Sequence, residues 1–146
     1  MNSNLIMKIK KLNKTAKLPT KGTEGAACFD LYASETVDLL RGRPTKIPTG
    51  LAFEIPDGYC LTIYGRSSSA LKSLVIVPQI VDSDYRGEVF ILVNRLGSLG
   101  DLTYRVNAGD RIAQFKLEKI ESVTFELVEE LSDTQRGTGG FGSSGI

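Results

Sequence analysis

Histidine is absent from all 146 residues. That excludes Ser-His-Asp and Cys-His catalysis and argues against a structural or catalytic zinc site. An enzyme built from this sequence must work with carboxylates, hydroxyls and a hard metal. Cysteine is scarce: Cys28 and Cys60 are too few for a disulfide scaffold, and they read as small buried hydrophobes in a reducing compartment. Long apolar runs are missing too. The longest, Val89 to Val93, has five residues, far below the roughly 20 that cross a membrane. The first eleven residues lack the apolar core of a signal peptide, so the expected location is the cytoplasm, or a host cell's cytoplasm if the source is a virus. Charge of one sign is also lacking: 18 basic against 17 acidic residues leave a net charge of +1. No global attraction draws this chain to nucleic acid or to an acidic membrane, so neither is an expected partner, and any anion site must be local.

What is present alternates with a period of two. Leu51, Phe53 and Ile55 fall on one face, and Tyr59, Leu61 and Ile63 follow a Pro56-Asp57-Gly58 turn. Leu74 to Val77 reads as a short buried run ended by Pro78. Then come Val89 to Val93, Leu102/Tyr104/Val106, Ala113/Phe115/Leu117 and Val123/Phe125/Leu127. Roughly ten short strands with polar turns predict one all-β domain, a jelly-roll-like barrel or sandwich. Only residues 67–73, serine-rich and with a serine at the expected N-cap, predict a short helix. The β domain is expected over residues 1–131, followed by a glycine-rich tail over 132–146.

Four internal segments and the tail carry groups suited to chemistry. Gly65-Arg66-Ser67-Ser68-Ser69 puts an arginine and hydroxyls where a strand gives way to a helix; it is either an anion site or an ordinary serine cap beside a surface arginine. Residues 81–88 crowd Asp82, Asp84, Glu88, Tyr85 and Arg86 into one turn. That turn is either a charged hairpin loop or a site in which one carboxylate is a base or metal ligand and Tyr85 a wall. Asp82, directly after Ile80-Val81, is the carboxylate best placed to point inward. Asp30, inside the apolar strand Cys28 to Ala33, either caps a turn or pairs with an arginine. Gln114 is out of phase with Ala113 and Phe115, which puts it on the opposite, polar face of its strand.

The tail runs Arg136-Gly-Thr-Gly-Gly-Phe-Gly-Ser-Ser-Gly-Ile146, with five glycines in eleven residues. Such a segment loses much freedom on ordering. Yet it spaces one guanidinium, one aromatic ring and two hydroxyls along a backbone able to wrap closely. It is either a loose terminus or a flap that orders over a nucleotide.

In order and spacing these segments resemble the five motifs of the homotrimeric dUTPase (dUTP pyrophosphatase) family: residues 27–31, 65–68, 80–87, 108–114 and 136–145. The resemblance spans residues from about 5 to 146. It implies a jelly-roll-like trimer with three sites at subunit interfaces, hydrolysing dUTP to dUMP and diphosphate with Mg²⁺. That reaction would keep uracil out of DNA and supply dUMP for thymidylate synthesis. By the same resemblance Asp82 holds and activates the attacking water, and Tyr85 packs against the deoxyribose. The backbone around Gln79, Ile80, Val81 and Phe90 reads the uracil edge, while Arg66, Ser67 and Ser68 hold phosphate oxygens with Gln114 beside them. Phe141 stacks on the base, and Arg136, Gly142, Ser143 and Ser144 close on the β- and γ-phosphates. Asp30 orients waters on the magnesium rather than ligating it.

The chain departs from the family pattern at Cys28, Gly65, Val77, Gln79 and Ala108; Gln79 stands where glycine is usual, beside the expected base pocket. Two other functions fit parts of the pattern. A dCTP deaminase of the same superfamily is disfavoured by the intact Asp82-Ser83-Asp84-Tyr85 run. A regulatory protein that borrows the scaffold to recognise a protein partner would be favoured by large inserts, and this chain is too compact to carry one.

Overall fold

The computed structural model describes residues 4–97, 103–142 and 145. Eleven strands and one short helix make up its regular structure: β1 (Lys8–Lys11), β2 (Phe29–Tyr32), β3 (Val37–Leu40), β4 (Thr45–Pro48), β5 (Leu51–Glu54), β6 (Tyr59–Gly65), α1 (Ser67–Leu71), β7 (Leu74–Ile76), β8 (Gln79–Val81), β9 (Phe90–Arg95), β10 (Thr103–Val106) and β11 (Arg111–Lys119). All the strand pairings are antiparallel. They form a four-stranded sheet ordered β2-β11-β6-β8, a three-stranded sheet β4-β9-β7, and the pairs β1-β5 and β10-β3. The all-β expectation holds.

Period-two alternation decides which side chains are covered. In β9 the inward set is Ile91, Val93 and Arg95, with Phe90, Leu92 and Asn94 half-buried between them. Ile91 and Val93 meet Leu31, Ile47, Leu51, Phe53, Ile55, Leu61 and Ile63 in one continuous core. Phe115 is wedged between two rings, stacked on Phe29 with centroids 5.6 Å apart and edge-on to Phe53 at 5.7 Å. β6 departs from simple alternation. Cys60 and Thr62 are buried along with Leu61 and Ile63, because β6 is central and covered on both faces. Burial also pushes the Cys60 thiol pKa upward.

Three expectations need correction. Residues 74–77 are not a continuous buried run: Val75 is exposed between Leu74 and Ile76, as expected of a strand with one wet face. The helix cap is Arg66 rather than a serine. Arg66 has extended dihedrals, and its carbonyl accepts from the N–H groups of Ser69 and Ala70, so the first turn starts one residue earlier. No strand forms at Val123/Phe125/Leu127 either. Regular structure ends at Lys119, and Phe125 and Leu127 are 94% and 101% exposed. The alternation there is real, but the described residues offer the segment no sheet partner.

Candidate active site

Two clusters gather most of the candidate residues. The first lies where β6 passes into α1. Asp30 on β2 is opposite Gln114 on β11, and Gln114 is opposite Tyr64 on β6, so the sheet register brings three distant segments together. Asp30 is only 8% exposed. Its Oδ1 accepts from Arg66 Nε at 3.1 Å, and Arg111 Nη1 lies 3.7 Å from Oδ2. A buried carboxylate of this kind is stable only with such partners. Of the two readings of Asp30, pairing with arginine is the correct one.

That pairing fixes Arg66. Its Nη1 donates to Ser68 Oγ and to the Arg111 carbonyl, each at 3.1 Å. These bonds engage Nε and Nη1, while none of them uses the Nη2 amino group. The guanidinium is thus held in one orientation, with its Nη2 donors left to meet an anion. Gln114 is half-buried rather than solvated, and its Nε2 donates to the Gly65 carbonyl at 2.9 Å, bracing the same loop. Ser69 Oγ ties α1 to the Ile112 carbonyl at 3.0 Å. A cavity of about 430 Å³ opens beside this loop, lined by Arg66, Ser68, Lys72, Asp110 and Arg111 among others. Ser67, at the start of α1, is exposed.

The second cluster is the β8–β9 turn, an open hairpin whose two strands pair in different sheets and not with each other. Its cavity, about 300 Å³, is lined by Lys46, Gln79, Ile80, Val81, Asp82, Tyr85, Glu88, Val89, Phe90 and Leu92. Asp82 follows β8 directly, exposed at the cavity's edge, and its carbonyl accepts from Tyr85 N–H at 3.1 Å. The Tyr85 hydroxyl donates to the Glu88 carbonyl at 2.7 Å, laying the ring over Gly87. Any Cβ at position 87 would come within 2.5 Å of that hydroxyl, so only glycine permits the pose. Arg86 braces the turn, donating through Nη1 to the Ser83 carbonyl at 2.6 Å. From β4, Lys46 Nζ sits 4.3 Å from the Phe90 ring centroid.

The hairpin is anchored at its far end by Thr49. This fully buried residue donates from Oγ1 to the Val89 carbonyl at 2.6 Å and accepts from Leu51 N–H at 3.2 Å, while Val89 N–H donates to the Leu51 carbonyl at 2.8 Å.

Among the described residues, the tail joins neither cluster. Arg136 Nε donates to the Gly139 carbonyl at 2.7 Å, and Gly137 N–H donates to Thr134 Oγ1 at 3.0 Å, so these contacts close turns within the tail. Phe141 has a positive φ and a fully exposed ring, and Gly142 after it is exposed too. Ser143 and Ser144 lie outside the described residues.

From the sequence no role fell to Lys46 or to Arg111, although Arg111 lies within the 108–114 motif. Lys46 enters only through its register opposite Leu92, and Arg111 through the fold of β11 onto β2. Only strand pairing could have revealed either.

Among the described residues no group of three or more Cys, Asp or Glu side chains could hold a metal unaided. No helix among the described residues is long and apolar enough to cross a membrane.

A family model described as dUTPase matches residues 14–145. The chain is 45% identical over 141 residues to a deoxyuridine 5'-triphosphate nucleotidohydrolase of Chlamydia muridarum, covering 92% of this chain and 95% of that one. It is 44% identical over 142 residues to one of Nautilia profundicola, covering 95% and 98%. Among solved structures, the dUTPase of Staphylococcus bacteriophage 80alpha with dUPNHPP superposes with a TM-score of 0.90 at 29% identity, covering 98% of this chain and all of that one. A mutant dUTPase from phage phi11 of S. aureus, described with a structural Mg(II) ion, gives 0.80 at 26% identity over 86% of this chain and 98% of that one. Sequence and fold agree over nearly the whole length: the chain belongs to the dUTPase family.

Proposed function

We propose that this protein hydrolyses dUTP to dUMP and diphosphate, with Asp82 orienting the water that attacks the α-phosphorus. The observation that carries this reading is the hairpin cavity, which joins a backbone edge able to read a base with a carboxylate and a tyrosine ring at its mouth. The names of the two bacterial relatives and the dUPNHPP in the phage 80alpha structure support dUTP as the substrate. By lowering dUTP the reaction keeps uracil out of DNA, and its product serves thymidylate synthesis.

A triphosphate is so anionic that positioning and charge neutralisation matter more than a strong base. An aspartate carboxylate is a weak base, so Asp82 works chiefly by holding the water and accepting its proton late. Tyr85, fixed over Gly87, forms the wall against the sugar. Arg66, Ser67, Ser68 and Gln114 hold phosphate oxygens. Arg136, Phe141, Gly142, Ser143 and Ser144 close over base and phosphates. Magnesium, when bound to the triphosphate, supplies charge neutralisation. Asp30 already faces two arginines, so the donor set fits an indirect role for it, through water.

Asp82 and Arg66 line separate cavities, and the described residues of the tail reach neither. Between residues 120 and 131 the side chains of Ile120, Val123, Phe125, Leu127, Val128 and Leu131 are exposed, apolar surface that water disfavours. A homotrimer accounts for both: the stretch packs on a neighbouring copy, and each site combines a hairpin, a phosphate loop and a tail lid (132–146) from different copies.

The experiment is to incubate the purified chain with dUTP, UTP, dTTP and dCTP plus Mg²⁺ and to measure diphosphate, with sedimentation run in parallel. Release from dUTP alone by a trimer is the expected result. Ammonia from dCTP would point to a deaminase instead, and a monomer with full activity would sink the shared-site arrangement.

A further inference from the structure

β7 pairs with β9 as far as Ile76 opposite Val93, and Val77 N–H donates to the Leu92 carbonyl at 2.9 Å. The next residue, Pro78, has no N–H, and after it β8 turns away to pair with β6. The ladder along this edge of β9 therefore stops, leaving the Phe90 carbonyl and the Leu92 N–H facing the cavity without a backbone partner. Buried groups of this kind need partners. Gln79 supplies them from its side chain. Its Nε2 donates to the Phe90 carbonyl at 3.0 Å, and its Oε1 accepts from Leu92 N–H at 3.0 Å.

An amide that offers one N–H and one adjacent C=O along a single edge has the hydrogen-bond pattern of a pyrimidine imide. Such a base, an N–H flanked by a carbonyl, would meet the same acceptor and the same donor with the same spacing. Gln79 and the base therefore ask for the same two backbone groups. Gln79 has no strained backbone to hold it there, since it is not among the described non-glycine residues with positive φ. Its side chain lines a cavity whose neighbours Ile80 and Asp82 are exposed, so the amide has open solvent to swing into.

We infer that Gln79 is an internal stand-in for the nucleobase, holding the base-reading edge of β9 closed until a base displaces it. This rests on the dUTP reading of the hairpin. The side chain is then a built-in competitor: every binding event must first break two hydrogen bonds, and KM carries that cost. A purely structural glutamine would behave in the opposite way, since its removal would loosen the hairpin and weaken binding.

The test compares wild type with Gln79→Ala and with Gln79→Met, which keeps the bulk but not the amide. Melting curves confirm that each variant is folded. KM for dUTP should fall about tenfold in both, the scale of two modest hydrogen bonds no longer broken. Independently, the Gln79 side-chain NH₂ resonances of wild type, assigned by their loss in the Ala variant, should shift on titration with dUMP. Folded variants with an unchanged or raised KM, or amide signals unmoved at saturating dUMP, would overturn the inference while leaving the enzyme's activity established. Wild type that releases no diphosphate from dUTP would remove the functional reading, and the stand-in with it.

Discussion

Asp82 owes its importance to position: it is the first residue after β8, at the lip of the hairpin cavity. Replacing its carboxylate with an amide keeps the shape and removes the proton acceptor. Asp82→Asn should cut kcat by about a hundredfold or more, the usual worth of a positioned base, while Kd for a non-hydrolysable dUTP analogue barely moves; turnover near the wild-type rate would contradict the mechanism. Gly87 acts through its neighbour. A methyl there would push against the Tyr85 hydroxyl and lift the ring from its place. Gly87→Ala should therefore reduce the preference for dUTP over UTP by about tenfold, the range a single pocket contact commands. Competition assays with the two nucleotides read this directly. Asp82, Tyr85 and Gln79 were nameable from the sequence because they sit in a short, dense segment. Arg111 and Lys46 were not, because each reaches its cluster through pairing with a strand far away in the chain.

Among the elements, the hairpin depends on a turn outside it. Thr49, between β4 and β5, is buried and bonded on both sides, to the Val89 carbonyl and from Leu51 N–H. Valine has nearly the same shape without the hydroxyl. Thr49→Val should destabilise the fold by about 1–3 kcal/mol, the cost of leaving a buried polar group without its partner. Urea unfolding would measure it, and a loss below a few tenths would show the bond to be dispensable. The strands themselves were legible, since alternation over four to nine residues follows directly from side chains pointing to opposite faces. Helix α1 was legible as a helix but not at its start, because the cap is set by the dihedrals of Arg66 and not by its chemistry. The phosphate loop was visible as a motif, yet its rigidity comes from Asp30 and Gln114, which two β11 ladders deliver.

At the scale of the whole molecule, the described sheets end at Lys119, and the tail's described contacts stay local. Stability and activity should therefore separate. Deleting residues 136–146 should leave the melting temperature within a few degrees and lower kcat/KM by on the order of a hundredfold, the scale at which lost positioning is felt. An equally active truncated protein would remove the lid from the mechanism. The sequence by itself determined the all-β class, the chemical inventory and the order of the motifs. Each depends on local alternation, residue type or spacing along the chain. Only the tertiary structure decided which groups meet. It paired Asp30 with Arg66, denied residues 123–127 a strand partner, and placed the Gln79 amide on the open edge of β9. Those outcomes depend on sheet register and on where a proline breaks a ladder, and no local pattern carries that information.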